Sequence, residues 1–591
     1  MALLATRTFA TAVGSRVGSV GHVVRRGVTL RNMINIRPSA AASFSASPRA
    51  ENQSNAPGLG RGGRGGRGSR GGRGSGGRGR GDGRGGNTPI VKKRPRQFSE
   101  AQLASIKALQ TLVDKKAVSL CRLAKGKANL FLDGAPIVYG GAVETVEGDP
   151  NISDPVVVVD QNDKVIAWGT YNPHSMYRVR VLQMAWEVET VAKDGSNTPA
   201  VRCDVSDVIK SRIKAAYELR KTLGLVSDTP TTDTATTTFR LVNAEGDRLS
   251  GCCVDVYGDC SESNSRDKKT FAVVSSSSAW TQKHKLDIIT ALGTEASVDT
   301  VVWRVDDKML ALETGTQGWE RQSERIDDGE EDDVGDAENN SATEKTVNPK
   351  WETKVYDTKT GDETTLPHSS DTPLLVKEHG VTYEVDLTFG HKTGFYVDQR
   401  QNRLQVRKWA SNADKVLDVC TYTGGFAINA ALGGAKNVVG VDSSQPALDI
   451  AIRNAMTNGV GFNCSFKKAE AFKHLEFLLE QGEANSYDII VLDPPKLAPN
   501  VQSLPRATPK YVGLNKRAMQ LLKPGGLLVT CSCSGAVTQN RLLPDVVIAA
   551  AASAGKTITA LGAPRGAGED QPLDPGYPEG NYLTVLAYRV L

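Results

Sequence analysis

The last third of the chain alternates short apolar runs, typical of β-strands, with longer segments whose apolar residues have helical spacing. Strand alternating with helix predicts parallel βαβ units, and therefore an α/β fold with a mostly parallel, doubly wound sheet. Ligands of such sheets bind at the carboxyl ends of the strands, so motifs at those ends are candidates for chemistry. The predicted strands are 415–420, 437–441, 464–467, 487–492 and 526–531, and the predicted helices are 426–432, 445–458, 471–481 and 513–522.

Three of these strand ends carry polar motifs that suit a cofactor with a ribose and an adenine. The first strand leads through an aspartate into a turn with a glycine pair, and glycine lets the backbone approach a ligand closely. A carboxylate that ends the second strand suits two ribose hydroxyls, and another acid follows the third strand, where an adenine amino group could lie. The candidate cofactor-binding residues on these turns are Asp418, Thr421, Tyr422, Gly424, Asp442 and Glu470.

A glycine-rich turn followed by a strand-end acid is also compatible with a dinucleotide. Against a dehydrogenase, the turn lacks the Gly-x-Gly-x-x-Gly spacing and offers a pyrophosphate no glycine array at a helix N-terminus. The pattern Asp-x-x-x-x-x-Gly-Gly over 418–425 resembles the S-adenosylmethionine site of class I methyltransferases. The sequence therefore predicts S-adenosylmethionine as cofactor, and a catalytically silent RNA-binding fold stays as an alternative.

The fourth and fifth strands end in motifs that point to the reacting group. The fourth ends in Asp493-Pro-Pro, a motif that with a following aromatic residue is typical of enzymes that methylate exocyclic amino groups, but Lys496 stands in the aromatic position. The fifth ends in Thr-Cys-Ser-Cys-Ser-Gly over 530–535. A thiolate there can add to C6 of a pyrimidine and make C5 nucleophilic enough to accept a methyl group. Because the attack requires a thiolate, we expect the surroundings to lower the pKa of the thiol.

The first fifty residues have the composition of an organelle transit peptide. Residues 1–50 contain seven arginines and no Asp or Glu, with Ser, Thr and Ala between them. They lack the compact apolar core of a secretory signal. We expect import into the mitochondrial matrix, with the plastid as second choice.

Residues 51–98 form a second basic segment, in which 58–86 contain 17 glycines and eight arginines. Such a tail cannot bury apolar surface, so it is predicted to be disordered. Guanidinium groups pair with phosphates and stack on bases, so we expect salt-sensitive RNA contact through Arg61, Arg64 and Arg67. Residues 1–96 carry a net charge of +17 (19 basic, 2 acidic), which leaves −11 (53 basic, 64 acidic) for residues 97–591.

Two further folded units are predicted between the tail and the last third. A helix over 102–115 precedes short strand-like runs separated by turns, which predict a small β-barrel over 115–200. A helix over 208–223 begins a central α+β domain over 205–390, which an acidic, disordered insertion at 324–350 interrupts. The strand-like runs are 128–132, 137–139, 155–160, 165–168 and 177–182 in the barrel, and 238–242, 251–256, 270–274 and 300–303 in the central domain.

Composition excludes several other classes of protein. No apolar run approaches the roughly 20 residues of a membrane-spanning helix, so no membrane protein is predicted. The nine cysteines include no Cys-x-x-Cys pair and are accompanied by only seven histidines. This usage disfavours a zinc module and a disulfide scaffold, and no metal site is predicted.

Several strings along the chain carry a resemblance to one enzyme family. The most specific is Lys-Thr-Gly-Phe-Tyr-Val-Asp-Gln-Arg-Gln-Asn-Arg over 392–403. Others lie at 123–126, 138–143, 167–173, 239–251, 254–258, 532–535 and 577–583. On these residues the chain resembles, over about 118–591, the bacterial ribosomal RNA large subunit cytosine-5 methyltransferase I family. The resemblance implies an N-terminal PUA β-barrel that binds structured RNA, a central α/β domain and a Rossmann-like class I methyltransferase domain over 391–591.

The resemblance also implies roles for residues of the last third. It aligns the Ser-Cys-Ser-Gly string with Cys533 rather than Cys531, so Cys533 is the implied nucleophile. Asp493 would hold the amino group or ring nitrogen of the cytosine and border the cofactor. Gln399 and Arg400 would line the cofactor or RNA entrance, or else form an ion-paired structural corner.

In the barrel, the resemblance implies that Lys125, Arg178 and Arg180 contact RNA. The chain departs from the family pattern in Lys496-Leu497 after the two prolines, in the leader and in the Arg-Gly-Gly tail. The predicted function is an organellar RNA methyltransferase that makes 5-methylcytosine in large-subunit ribosomal RNA or a pre-ribosomal particle. The alternatives are methylation of an exocyclic amino group and a silent ribosome assembly factor. The sequence predicts no oligomeric state.

Overall fold

The computed structural model describes residues 96–591 with interruptions. Within that range the residues it leaves out are 189, 193–198, 202, 227–234, 262–268, 316–351, 369–372, 389 and 391. The predicted transit peptide, the tail with Arg61, Arg64 and Arg67, and the acidic insertion therefore lie outside the described residues, apart from the last residues of the tail.

A helix and a six-stranded sheet form the first folded part. The helix α1 (Glu100–Asp114) confirms the predicted one and begins at a capping box of Ser99 and Gln102. The strand order is β2-β6-β5-β4-β1-β3, antiparallel except for the β1–β4 pair. The strands are β1 (Leu120–Leu123), β2 (Ile137–Tyr139), β3 (Val143–Glu147), β4 (Pro155–Val159), β5 (Val165–Tyr171) and β6 (Tyr177–Met184).

One predicted strand of this part is wrong. Residues Ala128–Leu132 form the short helix α2, with Phe131 buried and Leu130 exposed. An apolar run of this length has no periodicity that separates a strand from a helical turn. The strands β1 and β3 were not predicted, because they are short and β3 carries polar residues.

The central part is a second sheet with helices on it. A five-stranded sheet in the order β13-β12-β11-β10-β9 carries α3, which packs against α5. Two hairpins, β7–β8 and β14–β15, flank this part in the sequence. The strands are β7 (Thr190–Ala192), β8 (Pro199–Val201), β9 (Thr238–Asn243), β10 (Cys252–Gly258), β11 (Thr270–Ser276), β12 (Thr300–Val305), β13 (Glu352–Asp357), β14 (Leu374–Glu378) and β15 (Val381–Val385). The helices are α3 (Val205–Thr222), α4 (Ala279–Lys283), α5 (Lys285–Ala296) and α6 (Asp307–Thr314).

The last part is the predicted doubly wound sheet. Its strand order is β18-β17-β16-β19-β20-β22-β21; the first five strands are parallel, and β22 runs antiparallel to both its neighbours. The strands are β16 (Lys415–Val419), β17 (Asn437–Asp442), β18 (Cys464–Lys468), β19 (Tyr487–Leu492), β20 (Leu522–Ser532), β21 (Ile558–Ala560) and β22 (Thr584–Val590). The helices are α7 (Arg400–Trp409), α8 (Gly425–Leu432), α9 (Gln445–Thr457), α10 (Ala471–Glu480), α11 (Leu504–Leu521), α12 (Gly535–Gln539) and α13 (Leu542–Ala554).

The helix α11 begins nine residues before its predicted start at residue 513. The added stretch contains Pro505 and Pro509, and proline disfavours a helix interior because it lacks the N–H that the interior needs. Pro505 lies in the first turn, where that N–H has no helical partner in any case, and the helix continues through Pro509. Among the described residues, no helix is long and apolar enough to span a membrane.

Candidate active site

The order of the parallel strands reverses at β16, so the connections of β16 and β19 leave to opposite sides and open a crevice at their carboxyl ends. A cavity of about 570 Å³ lies there. Turns that follow β16, β17, β18, β19 and β20 line it, together with the segment around residues 392–403. The cavity brings together most of the strand-end residues that the sequence predicted.

The turn after β16 combines the predicted glycine with two residues in the left-handed region. Thr421 and Tyr422 line the cavity, and Gly424 lies behind them at the start of α8 with φ +84°. Cys420 and Tyr422 have φ of +65° and +51°, which a non-glycine residue rarely adopts. Such strain persists only where the surroundings impose it, and it concentrates at binding sites.

Asp418 lies beneath this turn, fully buried, and is not among the residues that line the cavity. Its Oδ2 accepts hydrogen bonds from Thr421 Oγ1 and from the backbone N–H of Ala427 at 2.9 Å. Its Oδ1 is buried without a hydrogen-bond partner among the described residues. Burial raises the pKa of Asp418 to about 7, although both hydrogen bonds oppose the shift. This carboxyl group therefore has one spare acceptor beneath the turn.

Asp442, the last residue of β17, and Glu470, which follows β18, also line the cavity. The Asp442 carboxylate accepts the backbone N–H of Tyr422 at 2.9 Å and that of Ser444 at 3.0 Å, so it joins two turns. The Glu470 carboxylate caps α10 by accepting the backbone N–H groups of Phe472 and Lys473 at 3.0 and 2.8 Å. Each carboxylate oxygen has further lone pairs that can accept from a ligand.

Asp493 directly follows β19, which is three strands from β18, the strand that precedes Glu470, and it lines the same cavity. Its Oδ2 accepts a hydrogen bond of 3.0 Å from Gln399 Nε2, and Asn402 in turn donates to Gln399 Oε1 at 2.8 Å. Burial, and then the charge of the Asp398 carboxylate, raise the pKa of Asp493 to about 6. Gln399 therefore orients a carboxyl group that can exchange a proton near neutral pH.

Cys533 follows the last residue of β20 and lines the same cavity as Asp493 and Asp442. The serines on both sides of it are fully buried and fixed: Ser532 Oγ pairs with the Tyr511 hydroxyl at 3.1 Å, and Ser534 Oγ donates to the Ala498 carbonyl. Cys531 lies inside β20, fully buried in the apolar core. Position alone thus distinguishes the two cysteines in favour of Cys533.

The expected lowering of the thiol pKa is wrong for the protein without RNA. Burial, and then the charge of Asp493, raise the pKa of Cys533, while Lys392 and Lys496 act in the opposite direction. A thiol that faces a carboxylate in a partly closed cavity stays protonated, because both surroundings disfavour a second negative charge.

Sequence reasoning missed the polar network around Lys392. Its Nζ pairs with Asp398 Oδ2 at 2.5 Å and lies 4.4 Å from the centre of the Tyr396 ring. The Tyr582 hydroxyl donates to the same Asp398 oxygen at 2.7 Å. All four side chains line the cavity. The string 392–403 carried the signal, but its partner Tyr582 lies too far along the chain to be found from the sequence.

Hydrogen bonds with strands of the central sheet fix the position of the described residues within 387–393, which include Lys392. Arg304 donates hydrogen bonds to the backbone carbonyls of Leu387, Gly390 and Lys392. Thr393 Oγ1 donates to Asp255 Oδ2 at 2.6 Å. The loop that presents Lys392 to the cavity is therefore built jointly by the central part and the last part of the chain.

Two of the predicted contact arginines are structural. Arg400 is fully buried in a bidentate pair with Asp570, with distances of 3.0 and 2.7 Å, so it forms the ion-paired corner and lines neither entrance. The structure contradicts the prediction that Arg180 contacts RNA, because its guanidinium is buried, 3.0 Å from Glu313. The positive charge of these two residues was insufficient to tell an exposed side chain from one that is buried in an ion pair.

The other two barrel residues are accessible. Lys125 is exposed in the turn after β1. Arg178 is half-buried and donates to the backbone carbonyls of Asn172 and Pro173. The described residues contain no group of three or more His, Cys, Asp or Glu side chains that could hold a metal ion.

Comparison with known proteins agrees with this geometry. A family model described as S-adenosylmethionine-dependent methyltransferase matches residues 365–566, and one described as a PUA-like domain matches residues 121–184. A solved structure from Streptococcus mutans, described as a SAM-dependent methyltransferase, aligns over 80% of this chain and 99% of its own, with a TM-score of 0.55 and 15% identity. A second methyltransferase structure, complexed with SAH, aligns over the same shares with a TM-score of 0.56 and 16% identity. These two structures support the fold alone.

The similarity to sequence relatives covers almost the full length of those relatives. The "Ribosomal RNA large subunit methyltransferase I" proteins of Salmonella enteritidis and Salmonella gallinarum are each 32% identical over 470 residues, which is 79% of this chain and 97% of theirs. The predicted fold class is thereby confirmed: a Rossmann-like methyltransferase domain, preceded by a central α/β part and a PUA-like domain. The chain belongs to the ribosomal RNA large subunit methyltransferase I family, whose cofactor is S-adenosylmethionine.

Proposed function

We propose that this methyltransferase makes 5-methylcytosine in the large-subunit ribosomal RNA of an organelle. The mitochondrion is our first choice of organelle, and the plastid is the second. The observation that carries the proposal is that Cys533 and Asp493 line one cavity with Asp442. A thiol and a carboxylate that share a cavity with the residues expected to bind the ribose suit C5 chemistry. Methylation of an amino group needs only acceptors, and Lys496 stands where such enzymes place an aromatic ring. The names of the Salmonella relatives support ribosomal RNA as the substrate.

The residues of the cavity fit S-adenosylmethionine. Asp442 would hold the two ribose hydroxyls, and Glu470 with the adjoining turn would face the adenine. Asp418 does not face the cavity; it holds the turn after β16 from beneath by accepting hydrogen bonds from Thr421 Oγ1 and the backbone N–H of Ala427. The strained residues Cys420 and Tyr422 bring backbone groups of that turn toward the ligand. When bound, the cofactor supplies an electrophilic methyl group on a sulfonium.

Cys533 and Asp493 then have complementary tasks on the base. The Cys533 thiol loses its proton to the Asp493 carboxylate, and the proton passes to N3 of cytosine as the C6–S bond forms. This addition makes C5 an enamine-like carbon that accepts the methyl group. A base removes the C5 proton, the C6–S bond breaks, and N3 gives up its proton, which restores the thiol.

Lys392 favours the thiolate in this scheme. Its ammonium group is held by Asp398 and by the faces of two tyrosine rings, so it cannot swing away from the cavity. A fixed positive charge lowers the pKa of a nearby thiol, which partly offsets the effects of burial and Asp493. Bound RNA would add no thiolate-stabilising charge of its own, so this lysine matters most when the base is in place.

The proposal has a direct test in nucleoside mass spectrometry of organellar RNA from cells with and without the protein. We expect one 5-methylcytosine to disappear from large-subunit ribosomal RNA and to return with the full chain but not with a chain that lacks residues 1–50. Loss of an N4-methylated nucleoside instead would favour amino-group methylation. Unchanged RNA, with no S-adenosylmethionine binding in calorimetry, would favour a silent assembly factor.

Asp442→Ala is expected to weaken S-adenosylmethionine binding at least about 30-fold, since hydrogen bonds from a diol to a carboxylate contribute about 2 kcal/mol. Calorimetry of the full chain measures it. Glu384→Ala is a suitable control, because Glu384 pairs with Arg453 at 2.7 Å outside the cavity. Equal affinity in Asp442→Ala and the native chain would show that the ribose does not lie at β17.

The methylation rate is expected to rise with pH. The pKa of Cys533 is raised above its ordinary value of about 8.5, so the thiolate fraction grows throughout the range from pH 6 to 8.5 without a plateau. Below about pH 6 the rate should fall more steeply, because Asp493, with a pKa of about 6, becomes protonated and can no longer accept the thiol proton. Single-turnover rates across this range provide the measurement. A flat profile between pH 6 and 8.5 would contradict the assignment.

A further inference from the structure

The segment that begins directly after Asp493 has an unusual charge distribution. Residues 494–544 contain seven lysines and arginines and no Asp or Glu, although residues 97–591 together carry a net charge of −11. The segment comprises the loop after β19, all of α11, β20, the turn with Cys533, and α12. A positive region inside an acidic body, next to the reacting cysteine, indicates an anionic partner at the active site.

Part of this positive charge is already used within the protein. Arg517 pairs with Glu476 at 3.0 Å, and Lys523 pairs with Asp488 at 2.8 Å. Lys496 and Lys510 are exposed and form no ion pair with any described residue, and Arg506 is exposed beside them. We call Lys496, Arg506 and Lys510 the cationic face.

The cationic face is continuous with the active site. Lys496 lines the catalytic cavity, and Leu497, the next residue, lines a second cavity of about 400 Å³ with Arg506 and Lys510. The loop between the cavities is fixed to the turn of Cys533 by the hydrogen bond from Ser534 Oγ to the Ala498 carbonyl. A ligand that fills the first cavity with a base can therefore continue past Lys496 toward the second cavity.

Arg506 and Lys510 are four residues apart on α11, so both side chains lie on one face of the helix. Their positions differ by about 6 Å along the helix axis, which suits neighbouring phosphates of an extended strand. The amide of Gln502 lies in the same cavity and adds a neutral donor. The described residues that line this cavity include no Asp or Glu, and positive charges at this spacing suit a polyanionic backbone better than a folded acidic protein.

We propose that the RNA strand adjoining the target nucleotide runs from the catalytic cavity along the cationic face, with its phosphates on Lys496, Arg506 and Lys510. The inference rests on the proposed function and specifies where its substrate lies. Arg180 was predicted to contact RNA but is buried, so it cannot supply a positive charge to the RNA. The cationic face supplies that charge. It lies on the methyltransferase domain itself and positions the strand at the point of base extrusion.

The test uses the full-length protein and ribosomal RNA from cells that lack it as methyl acceptor. Arg506→Gln/Lys510→Gln is expected to raise KM for RNA about tenfold and leave kcat and S-adenosylmethionine affinity unchanged. The slope of log affinity against log salt should fall by about 1.4, from two charges at about 0.7 each. Arg506→Lys/Lys510→Arg, which keeps both charges, should retain native values.

Lys214→Gln/Lys221→Gln is the matched control, because it removes two exposed lysines from α3 on the central sheet. Equal KM and salt slope in Arg506→Gln/Lys510→Gln and this control would overturn the inference. If Arg506→Gln/Lys510→Gln lost binding to an acidic protein while its kinetics with RNA stayed native, the cationic face would bind a protein and not RNA. Failure of the native chain to methylate any RNA would instead refute the proposed function.

Discussion

Cys533→Ala is expected to lower the rate of RNA methylation at least about 10⁴-fold, the scale seen when the nucleophile of a covalent mechanism is removed. Without the thiol, no C6–S bond forms, and C5 of cytosine is too weak a nucleophile to accept the methyl group. The same variant should form no covalent adduct with RNA that contains 5-fluorocytosine, because fluorine at C5 traps the native enzyme only after C6 is attacked. Nucleoside mass spectrometry and denaturing gels measure the two effects.

Cys531→Ala is the matched control for this experiment. It removes the same atom two residues away, from a side chain that is fully buried in the core of the sheet. We expect a modest loss of stability, and both methylation and the fluorocytosine adduct should remain. S-adenosylmethionine affinity should be native in both variants. Full activity of Cys533→Ala, or loss of the adduct only in Cys531→Ala, would exclude the thiol mechanism proposed for Cys533.

The parallel strands of the doubly wound sheet could be predicted because most of them are apolar runs between well-marked turns, whereas the antiparallel β21 and β22 were not predicted. Predicted and observed strands differ by one residue or less at β16, β17, β18 and β19. Burial on both faces makes the inner strands β16 and β19 mostly apolar, which is a local property of the sequence, whereas the edge strand β18 is polar and partly exposed. The helix α2 and the start of α11 depended on neighbouring structure, and there local patterns were insufficient.

Some residues of the site could be predicted from local sequence, and others could not. Asp442, Asp493 and Cys533 could be placed together, because the carboxyl ends of parallel strands meet at one edge. The fixed position of Lys392 could not be predicted, since it depends on Arg304 and Tyr582, which lie 88 and 190 residues away in the sequence. A sequence shows that a residue is charged, but its burial is set by such distant partners.

Asp570→Asn is expected to lower the free energy of unfolding by about 3–5 kcal/mol, as when one partner of a buried ion pair is removed. Both Asp570 and Arg400 have 0% of their side chains exposed. The Asp570 carboxylate accepts two bonds from Arg400 and the backbone N–H of Arg240 at 2.8 Å, so it joins α7 to the central sheet. An amide in its place leaves the guanidinium charge buried without a counterion. Urea unfolding followed by tryptophan fluorescence measures the loss.

Asp414→Asn makes the same chemical change in an exposed pair, in which Asp414 and Lys436 have 58% and 74% of their side chains exposed. We expect no measurable change there, because water already solvates both charges. The double variant Arg400→Met/Asp570→Leu should recover most of the stability that Asp570→Asn loses, since it leaves no buried charge without a partner. If Asp570→Asn were as stable as Asp414→Asn, or if the double variant were less stable than Asp570→Asn, the free charge of Arg400 would not be the cause of the loss. The junction between the central and methyltransferase domains would then depend on its apolar packing and not on this ion pair.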